Sequence, residues 1–147
     1  MNDSGPPAFV DTNILVYAIA EDAGFRGSTA AALIHDLMLH GRLRTSTQVL
    51  QEAFVTLTRK IERRLTPQAA LTYVDSIAKC PVLPVDFAMV RSAIELTMTT
   101  SISYWDALIV IAAERSGAKT LYTEDLQHNQ QMLGVRIVNP FREHVAH

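Results

Sequence analysis

The chain has 147 residues, a net charge of -2 and a hydrophobic content of 48%, and charged residues make up 19%. The length fits one domain, so we predict a single domain over residues 1–147 with loose ends at 1–7 and 142–147. The apolar content excludes intrinsic disorder, and the near-neutral charge excludes a protein that binds nucleic acid as a general polycation. Any contact with nucleic acid therefore needs a local basic patch.

Cysteine usage and hydropathy indicate the compartment. The single cysteine, Cys80, excludes an internal disulfide and a cysteine-based zinc site. The first residues have neither the basic nor the apolar part of a signal peptide. The longest fully apolar run, residues 107–113, is far shorter than the ~20 residues that span a bilayer. We therefore expect a soluble cytoplasmic protein.

Short apolar segments alternate with segments of helical period, which is typical of an α/β domain with a mainly parallel sheet. The predicted strands, in chain order, are residues 8–10, 42–46, 82–85, 120–122 and 136–138. The predicted helices lie between them, at residues 14–18, 28–41, 47–64, 66–77, 86–98 and 103–117. Thr66 before Pro67, Asp86 and Ser103 are capping signals at three of the helix starts.

Four carboxylates are predicted to meet at one edge of this sheet. Asp11 ends the first strand, and Asp125 follows the fourth. Glu52 and Asp106 lie in the first turns of two helices that face the same edge. Ligands of open parallel sheets bind at the carboxyl ends of the strands. Several carboxylates in one cleft repel each other unless a cation neutralises them, and hard oxygen ligands suit Mg²⁺ or Mn²⁺. The sequence therefore predicts a metal site made by these acids.

Taken singly, each acid also has a structural interpretation. Asp11 can cap the following helix, Asp106 completes a Ser-x-x-Asp capping box, Asp125 can be a turn residue and Glu52 a solvated helix residue. Their joint placement favours a site. The sequence contains no glycine-rich nucleotide loop, no G-x-S-x-G elbow and no histidine spacing typical of zinc.

The segments that contain the acids resemble the PIN-domain nucleases. The similarity lies in Val10-Asp11-Thr12-Asn13-Ile14-Leu15, Gln48-Val49-Leu50-Gln51-Glu52, Trp105-Asp106-Ala107-Leu108-Ile109 and Leu121-Tyr122-Thr123-Glu124-Asp125-Leu126. The ending Gly134-Val135-Arg136-Ile137-Val138-Asn139-Pro140-Phe141 is most similar to the VapC-type toxins of bacterial toxin–antitoxin pairs. The resemblance spans residues 9–141. It implies a three-layer α/β/α fold on a five-stranded parallel sheet, ordered 3-2-1-4-5, and a metal-dependent endoribonuclease.

The resemblance also implies roles for single residues and for partners. Mg²⁺ or Mn²⁺ would be held by Asp11, Glu52, Asp106 and Asp125, and Glu124 is an alternative ligand beside Asp125. Asn13 and Thr123 would support the ligands as hydrogen-bond donors. A toxin of this type implies an RNA substrate, a homodimer and a small DNA-binding antitoxin that covers the active-site groove. Tyr17, Leu33 and Leu37 on the first two helices are candidates for antitoxin contacts, with ordinary core packing as the alternative.

A basic segment near the end of the helix that carries Glu52 offers a tentative RNA-binding surface. It contains Arg59, Lys60, Arg63 and Arg64. On a regular helix Arg59 and Arg63 lie on the same side as Glu52, so the segment predicts a cationic ridge that leads away from the acids. The alternative is a solvated helix end, where basic residues are favoured by the helix dipole.

Other classes fit the sequence less well. A phospho-accepting receiver module usually has an acid pair after the first strand and a lysine after the fifth, but here Asp11 stands alone and Asn139-Pro140 follows the fifth strand. A phosphohydrolase with an aspartyl nucleophile would need D-x-D, where this chain has Asp11-Thr12-Asn13. A catalytically silent interaction module of the same fold is a further alternative, against which the complete set of four acids argues.

Overall fold

The structure, a computed structural model, describes residues 5–142. The strands are β1 (Ala8–Val10), β2 (Leu43–Ser46), β3 (Val82–Leu83), β4 (Thr120–Tyr122), β5 (Gln131–Met132) and β6 (Val135–Val138). The helices are α1 (Thr12–Ile19), α2 (Gly24–Leu39), α3 (Thr47–Val55), α4 (Pro67–Ile77), α5 (Phe87–Thr99) and α6 (Tyr104–Arg115). A π-helical segment, Thr56–Lys60, directly continues α3.

The sheet confirms the predicted α/β class and strand order. Its strands are ordered β3-β2-β1-β4-β6-β5, and all neighbouring pairs are parallel except β5 with β6. The predicted fifth strand is β6. The chain proceeds from β1 to β2 on one side, whereas β4 lies on the other side of β1, so the winding reverses between β1 and β4. This reversal opens the crevice in which doubly wound sheets bind ligands.

The sixth strand, β5, is an addition that the sequence analysis did not predict. It forms a hairpin with β6 through Leu133 and Gly134, which both have positive φ (53° and 79°). Two consecutive residues of positive φ are what a two-residue type I′ turn requires. The first of them is a leucine in place of the usual Asn or Asp, so the sequence has no recognisable hairpin signal here.

The hydrophobic core is formed by the apolar segments that the sequence predicts to be buried. The β1 residues are fully buried, and in α6 every residue from 107 to 113 is buried, as the apolar run predicts. Thr66, Asp86 and Ser103 cap α4, α5 and α6 with their side-chain oxygens, as predicted. Leu37 is 1% exposed in the core, which rules it out as an antitoxin contact, whereas Leu33 is partly exposed.

The helix predicted over residues 47–64 is wrong in its second half. Regular α-helix ends at Val55, and after the π-helical segment the chain leaves the helix at Ile61, whose backbone is extended. The amide of Ile61 still bonds the Thr56 carbonyl five residues earlier, at 3.2 Å. This wider turn brings Leu57 into a small core with Val16. The basic residues at 63 and 64 therefore do not share a helix face with Glu52.

The start of α2 differs from the prediction, and the predicted loose ends lie partly outside the described residues. The second helix begins at Gly24, four residues before the predicted cap at Ser28. Of the predicted loose ends, residues 1–4 and 143–147 lie outside the described residues. Among the others, the carbonyls of Pro6 and Pro7 accept hydrogen bonds from Arg42 Nε and the Lys119 amide. No single helix in residues 5–142 has the length and hydropathy of a membrane span; α5 and α6 pass such a test only jointly, as a pair bent by 120°.

Candidate active site

Asp11 is the most buried of the predicted acids and lies at the reversal point of the sheet. It follows β1 and caps α1, because its Oδ1 accepts from the Thr12 amide at 2.6 Å. Its Oδ2 accepts from Thr123 Oγ1 at 2.8 Å, and Thr123 directly follows β4, the neighbour of β1. The side chain is 4% exposed. The structural interpretation of Asp11 as a helix cap is therefore correct. Each carboxylate oxygen accepts one hydrogen bond and keeps a second lone pair for a ligand.

Burial raises the pKa of Asp11 to about 6. The hydrogen bonds from Thr123 and from the Thr12 amide lower this pKa, while the charges of Asp125 and Glu52 raise it. The protein thus places a carboxylate where ionisation costs free energy, and no side-chain cation of the described residues is among the groups that shift its pKa. Such an arrangement is common at functional sites.

Glu52 extends from α3 toward the end of β1. Its Oε1 accepts from Thr12 Oγ1 at 3.0 Å, and its Oε2 accepts from Gln48 Nε2 at 3.2 Å. The same Gln48 amide nitrogen lies 3.4 Å from the Trp105 carbonyl oxygen, so Gln48 links α3 to the first turn of α6. Sequence analysis missed the roles of Thr12 and Gln48. The signal for Gln48 was its position one helical turn before Glu52, on a side of α3 that proves to be buried.

Asp125 and Asp106 complete the group. Burial raises the pKa of Asp125, and among the neighbouring charges that of Asp106 contributes most, followed by Glu124 and Glu52. The Asp125 amide donates to Thr123 Oγ1 at 3.1 Å, so one hydroxyl orders both this loop and Asp11. Asp106 lies in the first turn of α6, where its amide donates to the Ser103 cap. The four predicted acids are therefore brought together, with Thr123 between two of them.

The acid cluster contains polar atoms that the described part of the protein does not satisfy. Asn13 lies beside Asp125 and favours the ionised form of that carboxylate, but its Nδ2 and Oδ1 have no hydrogen-bond partner within normal distance. Gln48 Oε1 is buried without a partner as well. None of the four acids forms a salt bridge within residues 5–142. Buried polar atoms that lack partners require an explanation such as a bound ion or its water.

The residues present fit a hydrated magnesium or manganese ion. Within the described residues, no three acidic, histidine or cysteine side chains converge closely enough to form a complete cation site on their own. Mg²⁺ does not need one, since it usually keeps several waters and binds through one or two carboxylates. Waters on such an ion would also provide donors and acceptors for the Asn13 and Gln48 amides.

Glu124, the alternative ligand, has both carboxylate oxygens occupied. Oε1 accepts from the Tyr17 hydroxyl and Oε2 from Arg26 Nε, each at 2.6 Å. The guanidinium of Arg26 also lies over the rings of Phe25 and Phe141, at 5.3 Å from each centroid. Desolvation and the Glu124 carboxylate raise the pKa of Tyr17 to about 12, so its hydroxyl stays protonated at neutral pH. Of the two neighbouring acids, Asp125 is therefore the one free to bind a ligand.

A cleft of about 930 Å³ opens over the acids. Its polar lining includes Asn13, Glu52 and Asp125. Asp11 is buried outside the lining, and Asp106 lies in the chain between two lining residues, Trp105 and Leu108. The remaining wall is largely apolar and is built from Val16, Val55, Val85, Val90, Tyr104, Trp105 and Leu108. The site is therefore an open, mostly apolar cleft whose lining includes the carboxylates of Glu52, Glu124 and Asp125.

The structure divides the predicted basic ridge. Lys60 lines the cleft, whereas Arg59, Arg63 and Arg64 are exposed residues outside its lining. Arg63 NH1 lies 2.8 Å from a Glu21 oxygen, and both of these side chains are largely exposed. The ridge as predicted from a regular helix is wrong, because the π-helical segment ends the helix before Arg63.

Comparisons with known proteins agree with this geometry. The chain is similar in structure to Mycobacterium tuberculosis VapC20, a Sarcin-Ricin loop cleaving toxin (22% identity, TM-score 0.62, covering 80% of this chain and 89% of that one). It is similar to DNA-bound VapBC from Salmonella typhimurium (18%, TM-score 0.64, 90% and 97%) and to VapBC2 from Rickettsia felis bound to a promoter fragment (18%, TM-score 0.61, 88% and 96%).

These likenesses concern the fold alone, because the identities are low. No curated protein sequence matches the chain significantly. The sequence profile of the PIN domain, however, matches residues 8–131, which include Asp11, Glu52, Asp106 and Asp125. That match covers most of the chain and contains the whole acid cluster, and this protein is therefore a member of the PIN-domain family.

Proposed function

We propose that this protein is a metal-dependent endoribonuclease and the toxin of a VapBC-type toxin–antitoxin pair. The observation that carries the proposal is that four carboxylates from four separate segments lie near enough to influence one another's charge at an open cleft, and that none of them forms a salt bridge within residues 5–142. Membership of a nuclease family and similarity to VapC structures support the same activity. A purely structural group of acids would be expected to have salt-bridge partners, as Glu124 has.

Asp11 and Asp106 would be the main ligands of Mg²⁺ or Mn²⁺, with Asp125 completing the set. A bound divalent cation supplies a water of lowered pKa and positive charge opposite the charge that develops on the phosphate. Glu52, held by Thr12 and Gln48, either binds the cation or orients the attacking water. Thr123 holds Asp11 in place, and Asn13 presents its unpaired amide to the same region. The expected products carry 5′-phosphate and 3′-hydroxyl ends.

The partners follow from the same proposal. Two of the similar structures are VapBC complexes bound to DNA, so we infer a small DNA-binding antitoxin for this chain as well. Tyr17 and Leu33 remain candidates for its contacts, and Tyr17 also lines the cleft. Homodimerisation of the toxin belongs to the same inference. The gene next to this one is expected to encode the antitoxin, and expression of the toxin alone is expected to slow growth.

The test is sequencing of RNA ends after brief expression in cells, combined with cleavage by the purified protein. Cutting is expected with Mg²⁺ or Mn²⁺, loss of cutting with a chelator, and recovery when either metal is returned. Asp11→Asn is the variant expected to lose cutting. Asp36→Asn is its matched control, because it makes the same change from carboxylate to amide at an exposed residue on α2. Absence of cutting by a well-folded, metal-loaded protein would favour a catalytically silent interaction module, and activity with Zn²⁺ alone would contradict an all-oxygen site.

A further inference from the structure

Trp105 is an exposed aromatic residue at the mouth of the cleft. Its side chain is 62% exposed, although it lies in the first turn of the otherwise buried helix α6 and directly precedes Asp106. Its ring meets Tyr104 edge-on, with centroids 4.9 Å apart and planes at 74°. Tyr104 is packed against the core, so the indole is supported along one side. A large apolar ring left in water at this place calls for a role other than packing.

Two exposed large apolar residues of the described chain line the cleft, Trp105 and Val55, and Trp105 is the aromatic one. Phe87, Met98 and Leu39 are more exposed than Trp105, but none of them lines the cleft. The Trp105 carbonyl is also bonded by Gln48, which in turn holds Glu52. The backbone that carries the indole is thus held next to two of the predicted catalytic acids, Glu52 and Asp106.

The charge of the cleft limits how a nucleic acid can bind there. In the described part of the chain, its lining contains three acids, Glu52, Glu124 and Asp125, and a single cation, Lys60. Binding through phosphates requires cations that displace counterions, so this lining offers few such contacts. Stacking of a base on an aromatic ring does not depend on charge and is the usual alternative source of affinity.

We propose that Trp105 stacks on a base of the RNA substrate next to the phosphate that is cut, and thereby selects which phosphate reaches the acids. The inference rests on the proposed ribonuclease function and adds to it a binding position for one base. Three observations support this arrangement: the cleft wall is largely apolar, its lining has few cations, and Trp105 is adjacent to Asp106 in the chain.

The single tryptophan of the chain gives a direct readout, because fluorescence excited at the long-wavelength edge of the indole band, where tyrosine does not absorb, reports on Trp105 alone. The wild-type protein in chelator is titrated with a short single-stranded RNA and with an abasic oligonucleotide of the same length. Binding of both probes is followed independently by the anisotropy of an attached dye. We expect the RNA to quench the tryptophan and the abasic backbone to bind at least tenfold more weakly without quenching. RNA that binds without any change in tryptophan fluorescence would overturn the inference.

Two variants test whether the ring itself matters. Trp105→Leu is expected to weaken RNA binding about ten- to a hundredfold and to scatter the cleavage positions, whereas Trp105→Phe retains part of the affinity. Phe87→Leu, an exposed aromatic residue outside the cleft, is the matched control and is expected to change neither. Thermal unfolding is expected to be unchanged in all three, because both rings are exposed.

The outcomes distinguish the inference from the proposed function. If wild-type protein cuts RNA and Trp105→Leu cuts the same positions with the same KM, the inference is wrong and the nuclease assignment stands. If neither cutting nor RNA binding occurs with metal-loaded wild-type protein, the proposed function fails and the inference with it. A variant that changes only the oligomeric state, measured by light scattering, would assign Trp105 to an interface between copies of this chain and overturn the stacking.

Discussion

Glu124 and Asp125 are neighbours in one loop, and the protein treats their charges in opposite ways. Glu124 accepts two 2.6 Å hydrogen bonds, one from the Tyr17 hydroxyl and one from the Arg26 guanidinium. Asp125 forms no salt bridge with any residue from 5 to 142, and burial and the charges of Asp106, Glu124 and Glu52 raise its pKa. The first carboxylate is compensated by the protein itself. The second has, within the described residues, only other carboxylates among the charged groups that act on it.

The compensated side is built as a structural cluster. Arg26, Tyr17 and Phe141 pack together, with the Tyr17 and Phe141 rings edge-on at 5.4 Å and Phe141 1% exposed. This cluster ties α1 and α2 to the segment after β6. On the other side of the same loop, the amides of Asn13 and Gln48 next to the acids have buried polar atoms without partners in the described residues. Glu124 therefore contributes to the stability of the fold, whereas Asp11, Glu52, Asp106 and Asp125 form no salt bridge in the described residues.

Removal of one uncompensated charge is expected to have the largest effect. Asp11→Asn should reduce cleavage about a thousandfold, the rate equivalent of several kcal/mol of lost transition-state stabilisation, because an amide is a poor ligand for a hard cation. The Asn side chain still accepts from the Thr12 amide, so the fold persists. Initial rates with purified protein and labelled RNA provide the measurement. Normal turnover by a folded Asp11→Asn protein would contradict the assignment of the acid cluster.

The raised pKa of Asp11 predicts how the stability of the metal-free protein changes with pH. Its pKa is about 6 in the folded protein against 3.8 for the free side chain, so the folded state holds the extra proton between these values. The destabilisation is absent below about pH 4 and complete above about pH 6, where it amounts to roughly 3 kcal/mol. The free energy of unfolding contributed by Asp11 therefore falls as the pH rises through this window.

Urea unfolding in chelator at pH 4.5 and 7.5 tests this sign. Asp11→Asn is expected to be more stable than wild type at pH 7.5 and to differ much less at pH 4.5, whereas the exposed control Asp36→Asn should follow wild type. Addition of Mg²⁺ should recover stability at pH 7.5 in wild type but not in Asp11→Asn. Parallel pH curves for Asp11→Asn and wild type would show that ionisation of Asp11 costs the fold nothing.

Breaking the compensated side should affect stability more than chemistry. Arg26→Gln is expected to destabilise the fold by about 1–2 kcal/mol, because Glu124 loses its charged donor and the ring contacts lose their cation. Cleavage should fall by about tenfold or less, since Arg26 does not line the cleft. In a double-mutant cycle with Glu124→Gln, the combined loss should be smaller than the sum of the single losses. Strict additivity would mean that the ion pair contributes nothing.

The sequence specified the acid cluster well because its placement follows from strand order. Asp11 and Asp125 end up at one edge once β1 and β4 are neighbours and parallel. It could not specify the Arg26–Glu124 pair, whose members are separated by 98 residues and have no local pattern. It also failed after Val55, because Leu57 and Ile61 keep a helical spacing while the backbone changes to a five-residue hydrogen-bond step. The spacing of apolar residues alone does not show whether a helical turn is an α-turn or a π-turn, because packing against the surrounding core decides between them.

Because the helix ends before Arg63, the two ends of the basic segment are expected to differ in RNA binding, and this is the smallest effect that we predict. Lys60→Gln should reduce the slope of log affinity against log salt by about 0.7, the value for one phosphate contact with a single strand, because Lys60 lines the cleft. Arg63→Gln should leave the slope unchanged, since its guanidinium contacts Glu21 outside the cleft lining. Neither change should shift the midpoint of thermal unfolding measurably, because both side chains are exposed. Equal slopes for Lys60→Gln and wild type would mean that RNA phosphates do not pass this end of the cleft, and stacking would then have to supply a still larger share of the affinity.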